Sequence, residues 1–182
     1  MKHRYLAIIG LCAVSTTTFA NGYIGIGYGS TNVKADLTSV GGGNIDDSTT
    51  LTKFYGGYQF NKYLGLEGGY YNLAQVSVGS VDTSAGAVSG SVDMKAFGIA
   101  GVATVPLTKS FRAYVRAGAA VWDADITRDT TTASADGTDA LYGLGAAYSF
   151  TKTFSVNADW EVIDSPNPEF STFSLGFKWD FK

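Results

Sequence analysis

The feature that most constrains this chain is an alternation of side-chain size with a period of two residues. It is clearest at 171–182, where large apolar residues occupy every second position and small or polar residues lie between them. Such alternation predicts a β-strand with two different faces. At 23–33 one face carries glycines and the other carries large apolar residues. This arrangement is the inverse of a soluble core, because the small residues would point inward and the large ones outward.

Segments with this alternation follow one another, joined alternately by short and long polar connections. Eight strands are predicted, at 23–33, 51–60, 64–71, 96–105, 111–122, 141–150, 154–163 and 171–182. The short connections lie at 61–63, 106–110 and 151–153, and long polar segments, interpreted as loops, lie at 34–50, 72–94, 123–139 and 164–170. The alternation within 72–94 could also extend its two strands beyond the membrane. An even strand number with short turns at one end and long loops at the other is typical of membrane barrels. The predicted fold is therefore an all-β, eight-stranded, antiparallel, up-and-down transmembrane β-barrel.

A soluble eight-stranded barrel of the lipocalin kind is the structural alternative. Such a barrel would need its bulky residues inside. Aromatic residues instead flank the predicted short turns, as they flank the apolar band of a membrane barrel; they are Phe60, Tyr63, Tyr148, Phe150 and Phe154. This placement favours the membrane barrel.

The first twenty residues have the pattern of a secretory signal peptide. A basic start at 2–4 precedes an apolar run that is too short to span a bilayer as a helix, and 18–20 resembles a small-x-small cleavage site. We therefore expect cleavage after Ala20. The remaining residues, 21–182, then form one barrel domain in the bacterial outer membrane.

Composition removes several classes of function. Cleavage would remove the only Cys and the only His, so thiol and imidazole chemistry would be absent from the mature chain. A site built from Ser and Asp alone shows no recognisable spacing. The chain has 16 acidic against 13 basic residues, which does not indicate a nucleic-acid partner. We expect no catalytic residue, no cofactor and no metal site.

Several segments resemble a known family. They are 56–59 (Gly-Gly-Tyr-Gln) with 66–70 (Leu-Glu-Gly-Gly-Tyr), 114–125 with Arg116, and the hairpin at 148–160. In them the chain resembles the membrane domain of OmpA-like outer-membrane proteins. The resemblance implies that Glu67 is the inward carboxylate of a buried ionic cluster and that Arg116 is an inward arginine. The chain departs from the family at Asn157 and Ala147, which stand where members carry a basic and an acidic residue.

The alternation places a set of charged and polar residues on the inner face of the predicted barrel. The members of this barrel-interior ionic cluster are Glu67, Arg112, Arg116, Asn157, Asp159, Glu161 and Lys178. They could line a polar path or form a plug of ion pairs. Eight strands leave an interior only just filled by side chains, which favours the plug.

With the lumen closed, we expect a protein of structural or surface-interaction type whose long extracellular loops form the functional surface. A loop-mediated adhesin and a narrow porin are the alternatives, and an enzyme acting on lipid A is not expected. The expected partners are outer-membrane lipid and lipopolysaccharide, and host or phage surface ligands. The resemblance adds the barrel assembly machinery, which reads a terminal aromatic residue in the family; here Phe181 is penultimate.

Overall fold

Eight antiparallel strands form a closed barrel in which sequence neighbours are also neighbours in space. A computed structural model describes residues 21–36, 44–83, 86–128, 131–164 and 169–181. The strands are β1 (Asn21–Asp36), β2 (Asn44–Gln59), β3 (Leu64–Thr83), β4 (Gly86–Pro106), β5 (Phe111–Arg128), β6 (Thr131–Ser149), β7 (Phe154–Asp164) and β8 (Glu169–Phe181). The predicted fold class is confirmed, whereas the predicted signal peptide at 1–20 lies outside the described residues.

The barrel closes because β1 pairs with β8 as well as with β2. Gly22 lies opposite Phe181 at one end of the β1–β8 pair, and the register runs without interruption to Lys34 opposite Glu169. The sheet therefore has no free edge. This is the condition that hydrocarbon imposes on a spanning sheet, since an unpaired backbone group has no water to bind there. Within the described ranges, no helix is long and apolar enough to cross a membrane.

The two faces of the strands carry the residues that the alternation predicts. On β8 the outward Phe173 and Leu175 are 54% and 61% exposed, whereas the inward Ser174 and Lys178 are 1% and 8% exposed. On β1, Ile24 is half exposed in the same way. Apolar side chains on the outside and polar ones inside are stable where lipid, not water, covers the outer face.

Aromatic side chains collect on the outer face near the short turns. The ring centroid of Phe154 lies 5.5 Å from that of Phe177, in a tilted arrangement, and 6.3 Å from that of Trp179, on which it stacks. The ring centroids of Trp179 and Phe181 are 5.8 Å apart. The five aromatic residues predicted to flank the turns are all exposed. They form the interfacial aromatic region expected at the boundary between hydrocarbon and headgroups.

The prediction of long loops is wrong for 34–50 and 123–139, whereas at 72–94 the strands continue, as the alternation within that segment allows. The β1–β2 pairing continues to Asp36 opposite Asn44, the β3–β4 pairing to Thr83 opposite Gly86, and the β5–β6 pairing to Arg128 opposite Thr131. In the fourth segment, β7 continues to Asp164 and β8 begins at Glu169, so that 165–168 lies outside the described residues. Outside a bilayer both strand faces meet water, so the alternation that marks a strand disappears while backbone pairing continues.

These continuations, here called the polar extensions, are long. The strands β3 and β4 have 20 and 21 residues, about twice the ~9–11 that a tilted strand needs to cross a bilayer. Their register shifts between Leu73 and Val76 and again between Val78 and Val81. The surface predicted to be loop is therefore largely paired β-strand.

The first prediction tests the lipid-facing side. Leu144 is 55% exposed on β6 and lies opposite Val115 and Trp160. Leu144→Arg should lower the free energy of unfolding by ~2–4 kcal/mol, because it places a charge in hydrocarbon. Thr138→Arg, on the same face and strand but nearer the polar extension, should cost about 0–1 kcal/mol. Urea titrations of protein refolded in lipid vesicles measure both, and equal penalties would contradict the assignment of Leu144 to the membrane interior.

Candidate functional site

The barrel interior is filled by tyrosine rings that lie directly over glycines. A Cβ added to Gly25 would lie 2.2 Å from Cζ of Tyr55, and one added to Gly57 would lie 2.5 Å from Cζ of Tyr23. No other residue therefore fits at these two positions while the rings keep their places. Glycine on the inner face makes room for large side chains in a barrel of small diameter.

Five buried charged side chains form one connected group across the barrel, here called the charge network. Its members are Lys53, Glu67, Arg116, Asp159 and Glu161, each no more than 5% exposed. Lys53 Nζ lies 2.8 Å from Glu161 Oε2 and 3.7 Å from Glu67 Oε1. Arg116 contacts all three carboxylates, with Nη1 2.5 Å from Asp159 Oδ1, Nε 2.9 Å from Glu67 Oε1, and Nη1 3.7 Å from Glu161 Oε1.

Each carboxylate of the charge network also accepts a hydrogen bond from a tyrosine hydroxyl. The donors are Tyr23 to Glu67 at 2.8 Å, Tyr71 to Glu161 at 3.0 Å and Tyr114 to Asp159 at 2.6 Å. The network contains two cations and three carboxylates, so these hydroxyls help to stabilise the additional negative charge. Charge-assisted hydrogen bonds of this kind are stronger than neutral ones.

Both positions where the chain departs from the OmpA-like pattern have well-defined roles in packing. Asn157 Oδ1 accepts a hydrogen bond from the Tyr55 hydroxyl at 2.7 Å, and its amide nitrogen donates to Asp159. A neutral donor thus stands where a basic residue was expected. Ala147 is buried and packs with Val102 and Tyr114 in a small apolar cluster. The cation of this region comes instead from Lys53 on β2.

The remaining predicted residues, Arg112 and Lys178, lie in a separate group nearer the short turns. Together with Asp180 they form what we call the rim group. Lys178 Nζ donates to Asp180 Oδ1 at 2.7 Å, and Arg112 Nη2 lies 3.8 Å from Asp180 Oδ2. A cavity of about 30 Å³ lies between the rim group and the charge network, enough for a water molecule or two. The structure thus divides the predicted cluster into two groups of opposite excess charge.

Beyond the charge network, on the side of the polar extensions, the interior becomes apolar. This apolar layer consists of Leu51, Tyr71, Leu73, Met94, Ala96, Ala100, Ala120, Trp122, Leu141, Ile163 and Phe170. The rings of Trp122 and Phe170 lie 6.2 Å apart, and the Trp122 indole donates to Asp139 Oδ2. The apolar layer and the charge network therefore fill successive levels of the lumen.

Lys53 is absent from the predicted set although it is fully buried and central to the charge network. The sequence pattern does indicate an inward position for Lys53, because the alternation places it on the same face as Leu51 and Tyr55. The predicted cluster nevertheless contains no residue of 51–60. In the described part of the chain, no group of three or more His, Cys, Asp or Glu side chains is arranged to hold a metal ion.

The second prediction concerns Lys53. Lys53→Met keeps the length of the side chain but removes the cation that contacts Glu161 and Glu67. The free energy of unfolding should fall by about 3–5 kcal/mol, because buried carboxylates lose a partner. Urea titration in lipid vesicles measures the change.

Two further variants control this experiment. Lys53→Met combined with Glu161→Gln should recover part of the loss, because it removes a carboxylate together with its cation. Lys62→Met, at an exposed turn position, should leave the stability nearly unchanged in vesicles made of zwitterionic lipid only. A similar loss from Lys62→Met, or no recovery in the double variant, would contradict the role assigned to Lys53.

Comparison with known proteins relates the chain to a family. Residues 5–181 match the family described as the outer membrane protein beta-barrel domain. The chain is 25% identical, over 140 residues, to outer membrane protein A of Yersinia pseudotuberculosis serotype I (strain IP32953). The match covers 69% of this chain and 38% of that relative. The chain thus spans less than half the length of this curated relative.

Solved structures have the same fold. Ail, the attachment invasion locus protein of Yersinia pestis, superimposes with a TM-score of 0.63 at 21% identity, covering 90% of this chain and 99% of Ail. Ail has also been solved in complex with the heparin analogue sucrose octasulfate. Neisserial surface protein A gives a TM-score of 0.69 at 13% identity, covering 89% and 99% of the two chains. The family match over nearly the whole sequence indicates a bacterial outer-membrane location and shows that this chain belongs to the outer membrane protein β-barrel family.

Proposed function

We propose that this protein is a closed outer-membrane barrel that acts by binding at its polar extensions and not by conducting solutes or by catalysis. The observation that carries the proposal is the filling of the lumen at successive levels by the charge network and the apolar layer. A solute would have to break several buried ion pairs and then cross an apolar constriction. The surface of the polar extensions then remains as the region where partners bind.

The proposed orientation places the short turns and both chain ends in the periplasm and the polar extensions outside the cell. Two features support it. The start of β1 and the end of β8 pair with each other at the end of the barrel that carries the short turns. The polar extensions lie at the opposite end, where a surface protein would meet its ligands. Lipopolysaccharide would then surround the bases of the polar extensions, and β8 would be the strand offered to the barrel assembly machinery.

The charges near the bases of the polar extensions suggest what kind of ligand fits. Asp123 and Asp136 are exposed and directly opposite each other on β5 and β6, and Lys95 lies opposite Asp123 on the other side. Asp164 is also exposed. Ail has been solved with a polyanionic heparin analogue, but acidic side chains predominate here. We therefore propose a neutral or basic host or phage ligand for this chain.

The third prediction concerns conductance. Refolded protein in a planar bilayer should show no steady channel. Glu67→Ala should lose folding stability because Arg116 and Lys53 lose a carboxylate partner, yet it should still not conduct, since the apolar layer remains. Large and stable single-channel steps from the unmutated protein would overturn the closed lumen and favour the narrow porin.

The fourth prediction concerns binding. Replacing residues 76–92 with a four-residue turn removes most of the β3–β4 polar extension but keeps Leu73 opposite Met94. Bacteria that display this variant should lose adhesion to cultured epithelial cells, while its band on a heat-modifiability gel should still show a folded barrel. Replacing 125–134 with the same turn removes most of the β5–β6 polar extension but keeps Ala124 opposite Ala135, and comparison of the two variants identifies which extension binds. Full adhesion by both variants, and by a third in which 33–47 is replaced in the same way, would contradict the proposal.

A further inference from the structure

The three short turns of the barrel share one construction. In each, the first polar residue accepts hydrogen bonds at its side-chain oxygen from the backbone N–H groups two and three residues later. Asn61 accepts from residues 63 and 64, Thr108 from 110 and 111, and Thr151 from 153 and 154. Side-chain oxygens of Asn and Thr stabilise tight turns in this way. The turns are therefore held by their own residues.

The residue after each of these acceptors is a lysine. The turn lysines are Lys62, Lys109 and Lys152, and all three are exposed. Among the residues that the structure describes, none of the three has a carboxylate within ion-pair distance, and Lys62 contacts only the face of the Tyr63 ring, at 4.8 Å. No acidic residue occurs within the three turns. Each turn therefore presents one unpaired positive charge.

Large apolar side chains border every turn lysine on the outer surface. Phe60 and Leu64 border the first turn, Leu107 and Phe111 the second, and Phe150 and Phe154 the third, all of them exposed. Exposed aromatic side chains of this kind lie at the level of the lipid headgroups. Each turn lysine is two residues along the chain from the side chains that border it, and a flexible lysine stem reaches the phosphate level from there.

The distribution of charge along the barrel supports the same interpretation. The described acidic group nearest the turns is Asp180, and it already contacts both Lys178 and Arg112. The rim group thus adds a further positive charge to this end. Exposed acidic residues such as Asp123, Asp136 and Asp164 lie at the other end. The turn end is therefore the positively charged end of the barrel.

We propose that the turn lysines bind the phosphate groups of anionic phospholipids, so that these lipids concentrate around the turn end of the barrel. With the proposed orientation, on which this inference rests, these are phospholipids of the periplasmic leaflet. Anionic lipid is favoured over peptidoglycan because each lysine is held next to aromatic residues at the membrane boundary. A polymer beyond the membrane would need projecting segments, and these turns are only a few residues long.

The test uses Trp179, whose ring stacks on Phe154 beside the turn that carries Lys152. Every variant also carries Trp122→Phe and Trp160→Phe, so that Trp179 is the only source of tryptophan fluorescence. The barrel is refolded in phosphatidylethanolamine vesicles that contain phosphatidylglycerol, with brominated acyl chains placed on one lipid or the other. The extent to which each brominated lipid quenches the fluorescence of Trp179 gives the relative association of the two lipids beside it. Phosphatidylglycerol should be favoured by about fivefold per adjacent lysine at low salt, and 0.5 M NaCl should reduce that preference.

Single lysine-to-glutamine variants show which lysine causes the preference for phosphatidylglycerol beside Trp179. Lys152→Gln should bring the two lipids close to equal association beside Trp179. Lys109→Gln removes the same charge from a turn farther around the barrel, and Lys95→Gln removes it from the opposite end, so both should keep the preference. A gel shift and circular dichroism confirm folding of each variant.

Two outcomes would overturn the proposal: equal association of both lipids with the parent protein, and a preference that Lys152→Gln leaves unchanged. If equal association is accompanied by binding to isolated peptidoglycan that is lost when all three turn lysines become Gln, the turn lysines bind that polymer instead. The vesicles carry the same lipids in both leaflets, so the result does not depend on orientation or on a surface ligand. A negative result in the adhesion assay would therefore contradict the proposed function alone, and a negative result in the lipid assay would contradict this inference alone.

Discussion

Closure of the sheet between β1 and β8 is the constraint on which the rest of this structure depends. A sheet in hydrocarbon must pair every strand edge, and closing eight strands leaves a narrow interior. In that interior, tyrosine rings lie over glycines that neighbouring strands place opposite them, as Gly25 lies opposite Tyr55. The inverted size pattern of the sequence is therefore a consequence of closure at a small strand number.

The narrow interior also explains why charge and not water fills its centre. Lys53 and Arg116 together contact all three buried carboxylates, and each carboxylate has a tyrosine donor as well. Charges taken out of water are stable only when such partners are complete. The charge network has an additional negative charge and the rim group an additional positive one, so the lumen as a whole is close to electrically balanced.

The sequence pattern predicts correctly which face of a strand a residue occupies, but it does not predict the level of that residue along the barrel axis. A period of two assigns Glu67, Arg116, Asp159 and Glu161 to the inner face, where the structure places them. It does not show how far each strand is shifted against its neighbours. Hence it does not separate Arg112 and Lys178 from the charge network, nor bring Lys53 to Glu161, which is 108 residues away. The pattern also weakens where water covers both faces, and for that reason the polar extensions at 34–50 and 123–139 were predicted as loops.

The self-contained turns have a consequence for the order of assembly. Because Asn61, Thr108 and Thr151 stabilise their turns with local hydrogen bonds, the hairpins β2–β3, β4–β5 and β6–β7 each close a loop of only a few residues whose own side chains hold it, which makes them kinetically accessible units. The β1–β8 pair joins the two ends of the chain and carries the largest entropic barrier. Lys53 and Glu161 lie on separate hairpins, so their ion pair forms only as the barrel closes. It therefore stabilises the finished barrel without guiding the steps that lead to it.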